Sequence, residues 1–239
     1  MNILVTGGSS GLGASILKKL VTDNKFFIYF TYTNSRESAT QTESTYRNSK
    51  AVHCDFLDNK SVDDLVNQIK DYDLDILINN AATAIHKEHF YKTEPALFLQ
   101  SFEYDIVPTL KITQEALKTF RRKKFGKIIN IISSAVVNHP PVGWSSYVAN
   151  KAYLLSMSKS WVVENSRFNI SSNNISPSFM QTGLTSDTDE RIIEQMIEGH
   201  PLKRLLTTTE VADAVLFFVY ASQQVNGTNL IINAGSDLV

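Results

Sequence analysis

Ile3-Leu4-Val5-Thr6-Gly7-Gly8-Ser9-Ser10-Gly11-Leu12-Gly13 runs directly into Ala14-Ser15-Ile16-Leu17-Lys18-Lys19-Leu20. The order is a short apolar strand, a glycine-rich turn and a helix. Glycines let the backbone come close to a ligand, and the unpaired N–H groups at the start of a helix attract phosphate. This is the dinucleotide-binding arrangement, with glycines at positions 7, 11 and 13 instead of the commoner G-x-G-x-x-G spacing. Gly7, Ser9, Ser10, Gly11, Leu12 and Gly13 are the candidate phosphate-binding residues.

Working outward, Lys25 to Thr33 is a second strand candidate, tipped by Tyr32-Thr33-Asn34-Ser35-Arg36 with no carboxylate before Glu37. An acid at this place selects NAD. Its absence leaves Thr33, Asn34, Ser35 and Arg36 suited to a 2′-phosphate, so NADP(H) is expected over NAD(H). The other reading of Arg36 is a solvated residue on the following helix. Ala51-Val52-His53-Cys54-Asp55 reads as a third strand, where Asp55 either accepts from the adenine amino group or caps a turn. Leu74 to Asn79 is a fourth, and the small residues of Asn79-Asn80-Ala81-Ala82 let the backbone pass close to the adenosine ribose. Strands alternating with helices predict an α/β fold, one doubly wound parallel-sheet domain over residues 1–239.

The chemistry centres on Ser145-Ser146-Tyr147-Val148-Ala149-Asn150-Lys151, which continues without Gly or Pro and reads as a helix. Residues four apart share a helix face, so the phenol of Tyr147 and the ammonium of Lys151 point into one space. A nearby cation favours phenolate, which predicts Tyr147 as an acid/base near neutrality. Thirteen residues upstream, Ser134 closes the apolar run Lys127 to Ile132 and brings a hydroxyl to the same place from a strand's carboxyl end.

Together these features resemble the classical short-chain dehydrogenase/reductase family across nearly the whole chain. The resemblance rests on Thr6 to Gly13, on Asn79-Asn80-Ala81-Ala82, on Ser134 with Tyr147 and Lys151, and on Pro177-Ser178-Phe179-Met180-Gln181-Thr182. It implies a single Rossmann-fold domain and hydride transfer between nicotinamide and a carbonyl or alcohol carbon. Ser134 would bind the substrate oxygen, Tyr147 would protonate it, and Lys151 would tune Tyr147 and hold the ribose. The thirteen-residue gap to Tyr147 selects Ser134, with Ser133 in reserve if the strand register differs. The resemblance also assigns Asp55, Phe56, Asn79, Ala81, Tyr147, Lys151, Pro177, Phe179 and Thr182 to the cofactor. Residues at about 178–201 would form a substrate lid, and the subunits would form a homotetramer or homodimer. Three departures stand out: Ala82 and Ser178 replace the family's glycines, and Asp105 falls where the family has a helix asparagine that holds a proton-relay water. Asp105 either keeps that relay in altered form or is a solvated helix residue.

Substrates allowed by the resemblance are 3-oxoacyl thioesters, sugars, steroids or small ketones. His86, His139, Trp144, Phe179 and Met180 are the candidate pocket wall, with Trp144 foremost. Two other classes stay open: a regulatory protein that binds NADP(H) without turnover, and a sugar-nucleotide epimerase or dehydratase.

Composition narrows the field. A formal net charge of -1 gives no nucleic-acid footprint. No apolar run approaches the ~20 residues of a membrane helix. One cysteine, Cys54, excludes an intrachain disulfide and suits a reducing, cytoplasmic setting. The five histidines lack ligand spacing, so no metal is expected. Phe98 to about Lys118 reads as a long helix that Pro108 should kink.

Overall fold

The structure, a computed structural model, describes residues 1–137 and 139–236. Seven strands form one sheet: β1 (Asn2–Val5), β2 (Phe27–Tyr32), β3 (Ser49–His53), β4 (Ile76–Asn79), β5 (Gly126–Ile131), β6 (Ile170–Pro177) and β7 (Asn229–Ile232). Their order is β3-β2-β1-β4-β5-β6-β7, and every pairing is parallel. The chain winds outward in both directions from the β1–β4 junction. A crevice opens beyond the strand ends at such a switch point, and the glycine turn lies there.

Parallel strands buried on both faces need apolar residues at every position. Ile3, Val5, Ile76, Ile78, Ile129 and Ile131 pack with Ile16 and Leu20 of α1 (Gly11–Leu20) and with Val215 and Phe218 of a later helix, Thr208–Tyr220. Leu4, Leu77 and Ile128 point the other way. They meet Val62 and Leu65 of α3 (Asn59–Ile69), Ile112 and Ala116 of α4 (Pro95–Lys123), and Leu154 and Trp161 of α5 (Ser145–Asn165). Between β2 and β3, α2 (Arg36–Thr45) buries only Ala39. Two helices follow β6: α6 (Glu190–Gly199) and α7, the Thr208–Tyr220 helix. α4 runs unbroken through Pro108, against the expected interruption. Thr109 Oγ1 donates to the Asp105 carbonyl at 2.7 Å there, and the helix is packed on both sides of the proline.

Strand β6, Ile-Ser-Ser-Asn-Asn-Ile-Ser-Pro, covered by the edge strand β7, is wholly buried although most of its side chains are polar. Buried polar groups need partners, and these have them. Asn79, Asn130 and Asn174 stand side by side on three adjacent strands. Asn79 Nδ2 donates to Asn130 Oδ1 at 2.9 Å and Asn130 Nδ2 to Asn174 Oδ1 at 3.0 Å. Ser172 meets Ser158 of α5 at 3.0 Å.

Lys127 is a second buried polar group, facing α7. Its Nζ donates to the carbonyls of Val219 at 2.6 Å and Ala221 at 2.5 Å, which closes the helix C-terminus. Lys127→Met keeps the stem and removes the donor, leaving buried carbonyls unpaired. A loss of roughly 2–3 kcal/mol is expected in equilibrium urea unfolding; an unchanged midpoint would show that the cap contributes nothing.

Candidate active site

At the end of β1, Thr6 fastens the glycine turn to the end of β4. Its hydroxyl oxygen accepts from the N–H groups of Asn80 at 2.9 Å and Ala81 at 3.0 Å. The Asn80 side chain donates back to the carbonyls of Thr6 and Gly7 at 2.9 and 3.1 Å. Gly7 has φ +65° and Gly11 φ +52°, a region that disfavours side chains. A Cβ on Gly13 would lie 1.9 Å from the Gly7 carbonyl oxygen. Ser10 precedes α1 without a side-chain cap, so the first N–H groups of the helix remain available. The turn thus presents backbone donors on a surface shaped by absent side chains, which fits a dinucleotide pyrophosphate.

This turn forms one wall of a cavity of about 870 Å³ at the crevice. Ser9, Ser10, Leu12, Thr33, Asn34 and Ser35 line it at one end, with Asp55, Phe56 and Ala81 beside them. Ser134, Tyr147, Lys151, Pro177, Phe179 and Thr182 line it toward the other. His139, Trp144 and Met180 complete the expected wall, and His86 does not reach it. Arg36 also lies outside the cavity, exposed at the first position of α2. Asn79 is buried away from the cavity. Its amide donates to Thr113 Oγ1 at 3.1 Å as well as to Asn130, so it ties the sheet to α4 and does not contact the cavity. Asp55 does cap a turn, accepting from Leu57 N at 2.9 Å, while still lining the cavity.

Tyr147 and Lys151 project from the first turns of α5, and Ser133 and Ser134 line the cavity with them. Ser133 is the last extended residue after β5, whereas Ser134 begins a 3₁₀ turn, Ser134–Val136. The Ser133 side chain accepts from Ala135 N at 3.3 Å, and its hydroxyl is near enough to the Tyr147 phenol to lower its pKa. Counting back from Tyr147 selects Ser134, with Ser133 in reserve. Trp144 stands perpendicular to Tyr147 with ring centroids 5.6 Å apart.

Burial pushes the Tyr147 phenol up to about 12; the Ser133 hydrogen bond opposes this and the Asp105 charge adds to it. The expected pull of Lys151 toward phenolate at neutrality is therefore not what sets this group. Lys151 is itself brought down to about 8 by burial, against the opposing charge of Asp105. Its ammonium donates to the Ile131 carbonyl at 2.7 Å and lies 5.8 Å from the Tyr147 ring centroid. At neutral pH the arrangement holds a protonated phenol beside a protonated lysine.

Asp105 lies outside the cavity but is not solvated. Its Oδ1 accepts from Thr83 N at 2.7 Å and Thr83 Oγ1 at 2.9 Å, and its Oδ2 is 3.5 Å from the Asn150 amide. It pins the segment after β4 and adds a charge that favours Lys151 in its protonated form. Asp105→Asn retains an acceptor for Thr83 and removes that charge. The basic limb of the kcat/KM profile is expected to move below about 8. A pH-rate profile checks the sign, and an upward shift would contradict it.

Among the described residues, no three His, Cys, Asp or Glu side chains are grouped to hold a metal ion, and no helix is long and apolar enough to cross a membrane. Cys54 is buried, and desolvation pushes its thiol up to about 12.

A family model described as enoyl-(acyl carrier protein) reductase matches residues 7–237. A solved structure described as a short chain dehydrogenase/reductase family protein superposes with a TM-score of 0.87 at 29% identity, covering 100% of this chain and 98% of its own. The chain belongs to the short-chain dehydrogenase/reductase family. It is an oxidoreductase of that type. The 3-oxoacyl-acyl-carrier-protein reductase MabA of Mycobacterium avium is 29% identical over 226 residues, 90% of this chain and 81% of that protein. FabG of Aquifex aeolicus (strain VF5), also a 3-oxoacyl-acyl-carrier-protein reductase, is 28% identical, covering 97% and 95%. A structure described as a putative betaketoacyl-ACP reductase has a TM-score of 0.85 at 29% identity, covering 100% and 98%.

Two of the departures from the short-chain reductase pattern prove mild. Neither Ala82 nor Ser178 has a positive φ, so no glycine is required there. Ser178 N still donates to the Ile232 carbonyl at 2.9 Å.

Sequence reading missed Thr6 as the fastener, Lys87 near Trp144, and the wall formed by Ile85, Leu184, Met196 and Leu205. Thr6 and Asn80 stood inside quoted motifs. Ile85 and the late wall residues carried no local signal, because chain crossing alone brings them together.

Proposed function

We propose that this short-chain reductase uses NADPH to reduce the ketone of 3-oxoacyl compounds or related small carbonyl substrates. The observation that carries the reading is the convergence of Tyr147, Lys151 and the Ser133 and Ser134 hydroxyls on a cavity that also holds the glycine turn. A non-catalytic binding protein has no need of that set. The identities of MabA and FabG as 3-oxoacyl reductases support the substrate class.

NADPH, when bound, would supply hydride to the carbonyl carbon. Gly7 to Gly13 would hold its pyrophosphate, Thr33 to Ser35 its adenosine end, and Pro177, Phe179 and Thr182 its nicotinamide end. The Ser134 hydroxyl, with Ser133 in reserve beside it, would donate to the substrate oxygen where negative charge develops. Tyr147, protonated at neutrality, would give its proton to that oxygen as general acid. Lys151 would bind ribose hydroxyls and keep the field around Tyr147 positive. Residues 178–201, comprising the turn Gly183–Thr185 and α6, would act as the lid over the substrate. The exposed Leu99 of α4 and Tyr153 of α5 support a homo-oligomer formed through those helices, and a cytoplasmic setting agrees with the single buried thiol.

Fluorescence titration with NADPH and NADH tests the cofactor assignment. NADPH is expected to bind at least about tenfold tighter, since a 2′-phosphate meets no carboxylate at the β2 tip. Arg36→Ala should weaken NADPH alone, because the long side chain at the start of α2 reaches the phosphate only from outside. Equal affinities would overturn the NADP(H) preference while leaving the family untouched.

A further inference from the structure

Lys87 belongs to the loop between β4 and α4, and its ammonium lies 5.6 Å from the centroid of the Trp144 ring. It reaches across to Asp187 Oδ1 at 2.5 Å and Thr188 Oγ1 at 3.3 Å, both in the lid segment. Its position is built. Glu88 N donates to the Gly143 carbonyl at 3.0 Å, and Gly143 has φ +84° with space for a Cβ only 3.2 Å from Glu88 N. The Trp144 ring then touches Tyr147 edge-on at 5.6 Å. Two ring contacts therefore separate the Lys87 ammonium from the proposed proton donor.

The ion pair is unequal. The Lys87 side chain is 25% exposed, held by the tryptophan, while Asp187 is 68% exposed. A pair with one solvated partner is weak, so the carboxylate is easily exchanged for another anion. The substrate end of the cavity is mostly apolar, with Ile85, Trp144, Met180, Leu184 and Met196 on its walls. Among the described residues, the only carboxylates lining the cavity are Asp187 and, at the adenosine end, Asp55. Lys87 itself is not among the lining residues; it sits against Trp144 and Asp187, both of which line the cavity, so displacing Asp187 is what would open the ammonium to it.

We infer that Lys87 is a specificity-determining cation. It receives an anionic group carried several bonds from the reacting carbonyl on an otherwise apolar substrate, and Asp187 holds it until that group arrives. This rests on the reductase reading above, and it makes a prediction that a simple structural latch does not. Breaking a latch from either side has the same effect. In substrate exchange, Lys87→Met removes the receptor, whereas Asp187→Asn removes a competitor.

The probes are 7-oxooctanoate and its methyl ester, which share one carbon skeleton and differ in charge. NADPH consumption gives KM, and calorimetry gives the affinity of each probe without turnover. Lys87→Met, whose stem still covers Trp144, is expected to raise KM and Kd for the acid about tenfold and leave the ester within twofold. Asp187→Asn is expected to lower both constants for the acid. Equal effects of the two variants, equal effects on acid and ester, or no effect would each overturn the proposal. Lys87-dependent binding of the acid without turnover would instead keep the anion site and overturn the reductase reading.

Discussion

Replacing Tyr147 with phenylalanine is expected to lower kcat for carbonyl reduction at least about a hundredfold, because general-acid transfer by a positioned side chain contributes on the order of 10²–10⁴. The substitution removes one oxygen and leaves the ring, so the perpendicular contact with Trp144 survives. Cofactor affinity should stay within about fivefold, since a lost neutral hydrogen bond contributes roughly 1 kcal/mol or less to binding. The phenol is held protonated by burial, which makes it a donor throughout the neutral range and not a base awaiting deprotonation. Single-turnover kinetics with saturating NADPH separate the chemical step from release. If kcat falls less than tenfold, another group supplies the proton, and the role assigned to Tyr147 fails.

Gly13→Ala carries the largest expected effect on nucleotide binding. The added carbon would sit 1.9 Å from the Gly7 carbonyl oxygen and 2.9 Å from the Asn80 amide nitrogen. Neither can withdraw freely. Gly7 N donates to Thr31 Oγ1 at 2.7 Å, and Asn80 is bound to Thr6 and Gly7. Relief therefore requires the whole turn to move away from the start of α1, and the phosphate-facing N–H groups move with it. A loss of at least about a hundredfold in NADPH affinity is expected, together with roughly 1–3 kcal/mol of stability, the range for overpacking. Titration of the variant, with urea unfolding alongside, checks both effects. Wild-type affinity in Gly13→Ala would show that the turn does not hold the cofactor.

What the chain disclosed about itself depended on whether neighbours in space are neighbours in sequence. The glycine turn and the Tyr147–Lys151 pair are local, so their spacing carried their meaning. Ser134 is selected by its thirteen-residue spacing to Tyr147, while Ser133, one residue earlier at the end of the extended segment, lines the same cavity. Arg36 was legible as a basic residue at the right distance, and it opens α2 directly after Asn34 and Ser35 of the cavity wall. Asn79 read both as a cofactor residue and as a side chain tying neighbouring strands, and its hydrogen bond to Asn130 gives it the second role. Lys87 and Asp187 are a hundred positions apart, and no local pattern links them.

The row of asparagines across β4, β5 and β6 bears on how the chain finds its fold at all. β5 offers Ile128, Ile129, Ile131 and Ile132 to its neighbours, and isoleucines satisfy one alignment nearly as well as another. Asn130 breaks that degeneracy. Sliding β5 by a single residue would turn its amide to the opposite side of the sheet, among Ile3, Val5 and Ile78, while Asn79 and Asn174 would face hydrocarbon. Three stranded amides make every shifted alignment costly. The asparagines thereby favour one alignment of β4, β5 and β6 over its one-residue shifts.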